Sequence, residues 1–141
     1  MMAELPTKIH LTLVTRERKV LETDVDEVVL PAFYGALGVL PGHTPLLAEL
    51  KIGEMTYRVA GKTSSVLISW GFAEILGDRV IVIAGGAVLA DEIDLEEAEK
   101  AKIDAERELN SLASHDESSQ MAEAKLDQAI TAISIARRRH E

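Results

Sequence analysis

The chain has 141 residues, 47% hydrophobic and 28% charged, enough to bury the core of one ordinary domain or two small ones. Its 24 acidic against 15 basic side chains give a net charge of −9, which speaks against nucleic-acid binding, since that needs a basic face to displace counterions. Cysteine is absent, which excludes a disulfide framework, a thiolate metal site and a cysteine nucleophile. No apolar run approaches the ~20 residues that span a bilayer. The start, Met1 to Pro6, has neither an apolar h-region nor an Arg-rich amphipathic stretch, so a soluble protein of a reducing compartment without a targeting peptide is expected.

Residue types divide the chain near position 89. Every Gly, Pro and aromatic lies before residue 87, whereas the stretch from Asp91 onward is rich in Ala, Glu, Lys and Leu. Residues 1–90 carry 8 basic and 10 acidic groups; residues 91–141 carry 7 and 14, so most of the negative charge sits in the shorter part. Two domains are expected, 1–88 and 89–141.

The first part reads as sheet. Ile9-His10-Leu11-Thr12-Leu13 alternates apolar and polar, the period of a half-buried strand. Further β-branched runs follow at Val25–Leu30, Met55–Ala60, Val66–Trp70, Phe72–Leu76 and Val80–Ile83. Turn signals separate them at Arg16–Lys19, Pro31, Gly53, Gly61-Lys62 and Gly77-Asp78. Short strands at this spacing, with no helix between them, predict an antiparallel sandwich or barrel.

The second part reads as an antiparallel helical hairpin, making the whole chain α+β. Asp94 with Glu97 three residues on, after apolar Ile93, is a capping-box pattern. Leu95, Ala98, Ala101, Ala105, Leu109 and Leu112 form one helical stripe, and Ala122, Leu126, Ala129, Ile130, Ile133 and Ala136 a second. Ser114 to Ser119 is the polar break between them. Alanine in place of leucine forfeits about 2–3 kcal/mol of burial per site, while helix propensity stays high. Helices that undock at little cost and persist when undocked are therefore expected. Charge also runs along the hairpin, with 11 acidic and 3 basic groups in 91–117, and Arg137-Arg138-Arg139 at the far end. These arginines have two readings: cations complementing a helix C-terminus, or a basic tip that docks on an acidic partner.

Chemistry is sparse. His10, His43, His115 and His140 are far apart with no i, i+4 pairing, so no metal site is expected. No nucleophile elbow and no phosphate-binding Gly-Lys-Ser/Thr loop occurs. Gly35-Ala36-Leu37-Gly38 and Gly85-Gly86 read as turn glycines, and no catalytic residue or cofactor is expected. The segment Phe33 to Leu47 is punctuated by Gly and Pro yet strongly apolar, so it either folds over the core or forms a contact surface. On these grounds alone, an adaptor or holdase-like binding module with mobile helical arms is an open reading.

Leu37-Gly38-Val39-Leu40-Pro41-Gly42-His43-Thr44-Pro45-Leu46-Leu47 resembles the signature loop of the epsilon subunits of F-type ATP synthases (delta in mitochondria). Ile9 to Thr15 is similar to that family's first strand, Trp70-Gly71-Phe72-Ala73-Glu74-Ile75 to its Gly-Gly-Phe-x-Glu-Val strand pair, and Val80 to Ala84 to the strand before its linker. The resemblance spans almost the whole chain. It implies a β-sandwich of about ten strands followed by a helix pair. The implied role is that of a non-enzymatic rotor subunit at the foot of the central stalk, between the gamma subunit and the ring of c subunits. Its implied location is peripheral, on the cytoplasmic face of a bacterial inner membrane or the stromal face of a thylakoid.

Site residues follow from the resemblance as well. Phe33, Tyr34, Gly35, Ala36, Leu37 and Gly38 are implied to meet the c-ring, in an apolar version of a tip that is acidic or polar in many relatives. Leu40, Pro41, Gly42 and His43 are implied to meet gamma. When the helices extend, Arg137, Arg138 and Arg139 are implied to reach the alpha and beta subunits of the catalytic head and hinder wasteful ATP hydrolysis. Trp70 stands where a Gly is common, and Gly85-Gly86, in place of polar residues, would form a turn or a hinge. Some relatives bind ATP through Ile/Leu-Asp-x-x-Arg-Ala; here Ile93-Asp94-Leu95-Glu96-Glu97-Ala98 puts Glu97 at the Arg position, so no useful ATP binding is expected.

Overall fold

The computed structural model describes residues 5–111 and 117–139. Its strands are β1 (Ile9–Val14), β2 (Lys19–Val25), β3 (Glu27–Ala32), β4 (Gly35–Val39), β5 (Leu46–Leu50), β6 (Gly53–Val59), β7 (Lys62–Leu76) and β8 (Arg79–Leu89). A single 3-10 turn, Ala90–Glu92, leads to α1 (Leu95–Ser111) and α2 (Glu117–Arg139). The α+β architecture is the expected one, a sandwich followed by a helical hairpin.

The strands number eight among the described residues, fewer than the ten or so expected, because two of them are long. Val66–Trp70 and Phe72–Leu76 are halves of one strand, β7. Its first half pairs with β6, from Val59↔Lys62 to Gly53↔Ile68, and its second half pairs with β5, from Leu50↔Gly71 to Leu46↔Ile75. The exchange of partners falls at Trp70-Gly71, where Trp70 has φ 41° and Gly71 φ 154°. A Cβ on Gly71 would lie 2.1 Å from the Ile83 carbonyl oxygen, so this corner between the two layers requires glycine.

Gly85-Gly86 form neither a turn nor a hinge. Both lie inside β8, with Gly86 opposite Ser69, and a Cβ on Gly85 would sit 3.1 Å from the Ser69 carbonyl oxygen. Close strand approach accounts for Gly85, whereas at Gly86 a Cβ would meet the Ser69 side chain at an ordinary 3.5 Å. Gly35 to Gly38 likewise belong to strand β4. Pro31, read as a turn signal, is buried in β3 opposite Ala36, near the strand end where its carbonyl accepts from the Lys51 amide at 3.0 Å. The Ala60-Gly61 turn, with φ 50° and 83°, has the mirror-type twist that suits a two-residue hairpin.

The strands run β2-β1-β8-β7-β5-β3-β4, with β6 bridging β3 and β7. Every pairing is antiparallel except β1 with β8, which is parallel. Ile9, Leu11, Leu13, Leu30, Leu50, Met55, Ile68 and Ile75, all essentially inaccessible, fill the space between the layers.

A second, smaller cluster joins hairpin to sandwich: Leu67, Ile93, Ala98, Ala132, Ile133, Ile135 and Ala136, with Ile52 and Val88 packed against it. Asp94 caps α1, its Oδ1 accepting from the Glu97 amide at 3.2 Å. The helical stripes are partly those expected. Ala98, Ala105, Ala122, Ala129, Ile133 and Ala136 are buried, but Ala101 and Ile130 are exposed, while Ala132 and Ile135 take core positions not foreseen. α2 begins at Glu117, inside the expected polar break; Leu112, His115 and His140 lie outside the described residues.

Candidate functional site

The residues singled out in the sequence fall at three separate places. The first is the tip of the β3–β4 hairpin. Phe33 and Tyr34 stack edge to face, ring centroids 5.5 Å apart, and Tyr34 is 99% exposed. The tip is braced from below by the Phe33 amide, which donates to the Glu49 carbonyl at 2.8 Å. Of the other residues expected at this contact, Ala36 and Gly38 are exposed and Gly35 half-buried. Leu37 is half-buried and packs against the sandwich core, because alternate residues of β4 face inward.

The second place is the loop after β4. Since β4 runs away from the tip, Leu40 to His43 emerge at the opposite end of the strand from Phe33 and Tyr34. The Gly42 amide donates to the Gly77 carbonyl at 2.7 Å, and the His43 amide to the Leu40 carbonyl at 3.1 Å. The first bond anchors the loop to the β7–β8 turn and the second closes the loop on itself. Gly42 has φ 87°, a conformation that glycine adopts without strain. Leu40 is exposed, while Pro41 and His43 are half-buried. The apolar segment 33–47 is therefore divided by β4 between two ends of the sandwich.

The third place is the last turn of α2, where all three arginines are engaged within the chain. Arg137 donates to Glu99 of α1 at 3.1 Å, and Arg138 pairs with Glu54 of β6. Arg139 donates to the Ala90 carbonyl, and to the Ile93 carbonyl at 3.1 Å. Further along α2, Gln128 donates to the Ser69 hydroxyl at 2.7 Å. Glu97 lines a cleft of about 650 Å³ beneath the hairpin together with Glu92, Asp94, Asp104 and Glu108, with Lys125 as its one cation among the described residues.

Two features went unread in the sequence. Phe72 and Ile83 face each other across β7 and β8 and are more than half exposed, as are Leu47 of β5 and Trp70 at the corner. The signal was the alternation within β7 and β8, whose outward positions carry large apolar groups. The second is His10, which projects from β1 between two carboxylates of β2. Its Nε2 lies 2.8 Å from Glu22 and its Nδ1 2.7 Å from Asp24. Those hydrogen bonds, Glu22 first and Asp24 second, raise the His10 pKa. Lys19, and after it His10, hold the Glu22 carboxyl down at about 2. Glu92 is also lowered, chiefly by the Leu89 amide and then by Arg18, so the linker is tied to the β1–β2 turn. No grouping of His, Asp and Glu suited to a metal ion exists among the described residues.

The family model for the "ATP synthase, Delta/Epsilon chain, beta-sandwich domain" matches residues 8–90. The ATP synthase epsilon chain of Citrifermentans bemidjiense is 42% identical over 92% of this chain and 94% of its own length. That of Geobacter sulfurreducens is 40% identical over the same shares. Among solved structures, a chain of the Euglena gracilis mitochondrial ATP synthase, from an assembly of OSCP, F1 and c-ring, superposes with TM-score 0.82 at 27% identity. That match covers 94% of this chain and 83% of the other. A chain from the central stalk and c-ring of the Tetrahymena thermophila enzyme shares the fold, with TM-score 0.64 at 14% identity over 94% and 99% of the two chains. A sandwich of this topology, a helix pair behind it and relatives matched nearly end to end lead to one assignment: the chain belongs to the family of ATP synthase delta/epsilon chains, as an epsilon chain.

Proposed function

We propose that the chain works as a rotor element of the central stalk, carrying ion-driven rotation of the c-ring through gamma toward ATP synthesis. The observation that carries this reading is the exposed Phe33–Tyr34 pair on a hairpin braced by β5. An apolar tip on a stiff support suits contact with a partner, since exposed apolar surface marks such sites. Phe33, Tyr34, Ala36 and Gly38 then meet the c-ring, and the loop Leu40–His43 meets gamma from the other end of β4. The chain contributes no catalytic group and sits peripherally, on the cytoplasmic face of a bacterial inner membrane. No helix among the described residues is long and apolar enough to cross a membrane.

Replacing the tip by Phe33→Ser with Tyr34→Ser in the reconstituted enzyme tests this. Ion-driven ATP synthesis should fall about tenfold while ATP hydrolysis by the detached head continues; undiminished synthesis would remove the tip from the coupling path. The helix pair acts as a conditional brake on hydrolysis, with Arg137, Arg138 and Arg139 docking on acidic groups of the alpha and beta subunits. Changing all three to alanine should relieve inhibition, and inhibition that survives the change rules the arginine tip out.

The cleft at Glu97 does not serve ATP. Five carboxylates around one lysine repel a polyphosphate. Calorimetric titration of the full chain should show no tight ATP binding.

A further inference from the structure

We propose that the last turn of α2 is a clasp which holds the helix pair down by occupying, within the chain, the same three arginines that the brake needs. This deepens the brake reading and rests on it only for its consequence in the assembled enzyme. The clasp itself is a property of the chain alone.

Three observations place it there. First, α2 is the helix that lies on the sheet. Leu67 of β7 and Val88 of β8 form an apolar strip on the outer face, with Glu54 next to Leu67 on β6, and Ile133, Ile135 and Ala136 bury against that cluster. In α1 only Ala98 and Ala105 are buried. Second, the three arginines take three different partners. Arg137 reaches α1 through Glu99, Arg138 reaches the sandwich through Glu54, and Arg139 reaches the linker through the Ala90 and Ile93 carbonyls. One helical turn thus ties together all the parts that must separate for the hairpin to extend. Third, the pairs are open to solvent, with Arg137 65% and Arg138 49% exposed against 44% for Glu99 and 23% for Glu54. Exposed pairs are individually weak and screened by salt, as a reversible clasp requires.

The consequence is exclusion. A guanidinium held at Glu54 lies against the sandwich and cannot at the same time reach a carboxylate on another subunit, so docking on the sandwich and docking on the head compete for one set of groups. Removing Glu54 and removing Arg138 therefore have opposite effects on the brake although both break the same pair. The first frees the tip; the second destroys it.

The chain has no cysteine, so Lys51→Cys and Ile130→Cys, both at exposed positions, give two unique labelling sites on sandwich and α2. Distances between spin labels are measured on the full chain at about 50 mM and about 500 mM salt, concentrations that bracket strong and weak screening. Glu54→Gln and Arg138→Ala should each raise the fraction of separated labels about fivefold at low salt. The exchanged pair, Glu54→Arg with Arg138→Glu, should bring the labels back together. Unchanged distances in both single variants overturn the clasp, and so does an exchanged pair that stays as open as they are. In the reconstituted enzyme, Glu54→Gln should lower ATP hydrolysis while Arg138→Ala should raise it. If Glu54→Gln opens the free chain but leaves hydrolysis unchanged, the clasp stands and the brake reading falls.

Discussion

In the sandwich, the inaccessible side chains are large: leucine, isoleucine, valine and methionine from all eight strands, drawn together across long sequence separations. In the hairpin, the buried positions are mostly alanine, with Ile133, Ile135 and Ser119 as the larger groups. Both regions exclude water, but only the first gains much free energy by doing so, because burial stabilises roughly in proportion to apolar area. The difference separates a base held by a large core from an appendage held by a small apolar cluster and a few exposed polar bonds. It also sets which part yields first when the molecule is disturbed.

Substitutions in the sandwich should have the largest effects. Leu11→Ala removes a fully buried side chain and should cost about 3 kcal/mol. Gly71→Ala drives a methyl into the Ile83 carbonyl and should cost at least as much, about 3 kcal/mol or more. Urea unfolding followed by the single tryptophan, Trp70, reads both.

Ile135→Ala sharpens the contrast. It should weaken hairpin docking by about 2 kcal/mol and speed amide exchange along α2, while the urea midpoint of the sandwich barely moves. A midpoint shift as large as that of Leu11→Ala would show one cooperative unit and dissolve the distinction. Asp94→Ala should cost about 1 kcal/mol of helix stability through the lost cap, visible as faster exchange in the first turn of α1.

The smallest effect belongs to pH. His10 has a raised pKa in the folded chain, so its paired, charged form stabilises fully below the ordinary value of 6.5 and is lost as pH rises through the folded value. Glu22 works in the opposite direction: its contribution is present above 4.5 and is lost as pH falls toward about 2. Unfolding midpoints at about pH 5 and about pH 8 should decline on the alkaline side, and His10→Asn should flatten that slope.

β1, the later strands from β6 on, the helix pair and the cap at Asp94 were legible because each depends on local pattern. β2 and β5 were not read, and the run Val25–Leu30 spans the end of β2 and most of β3. Alternation marks Ile9 to Leu13, and Asp94 with Glu97 marks a helix start. The corner at Trp70-Gly71 was not legible as such, since its cause is a carbonyl from β8, distant in sequence until the strands pair. The same holds for Gly85-Gly86, whose meaning comes from Ser69 across the ladder. The inward packing of Leu37 was not legible because it depends on β4 being a strand, where alternation turns that side chain toward the core. The arginines were legible as a basic helix end, but their partners Glu54, Glu99 and the linker carbonyls come from three parts of the chain that only folding assembles.

β8, the strand from which the linker departs, lies between parallel β1 and antiparallel β7. Parallel β1 flanks only Arg79–Ile83, so from Ala84 to Leu89 the strand is bonded to β7 alone. A pull on the tail runs along β8 and loads that β7 ladder in shear before it reaches the part held on both sides. Resistance to tension is greatest at Arg79–Ile83, where both neighbours grip the strand.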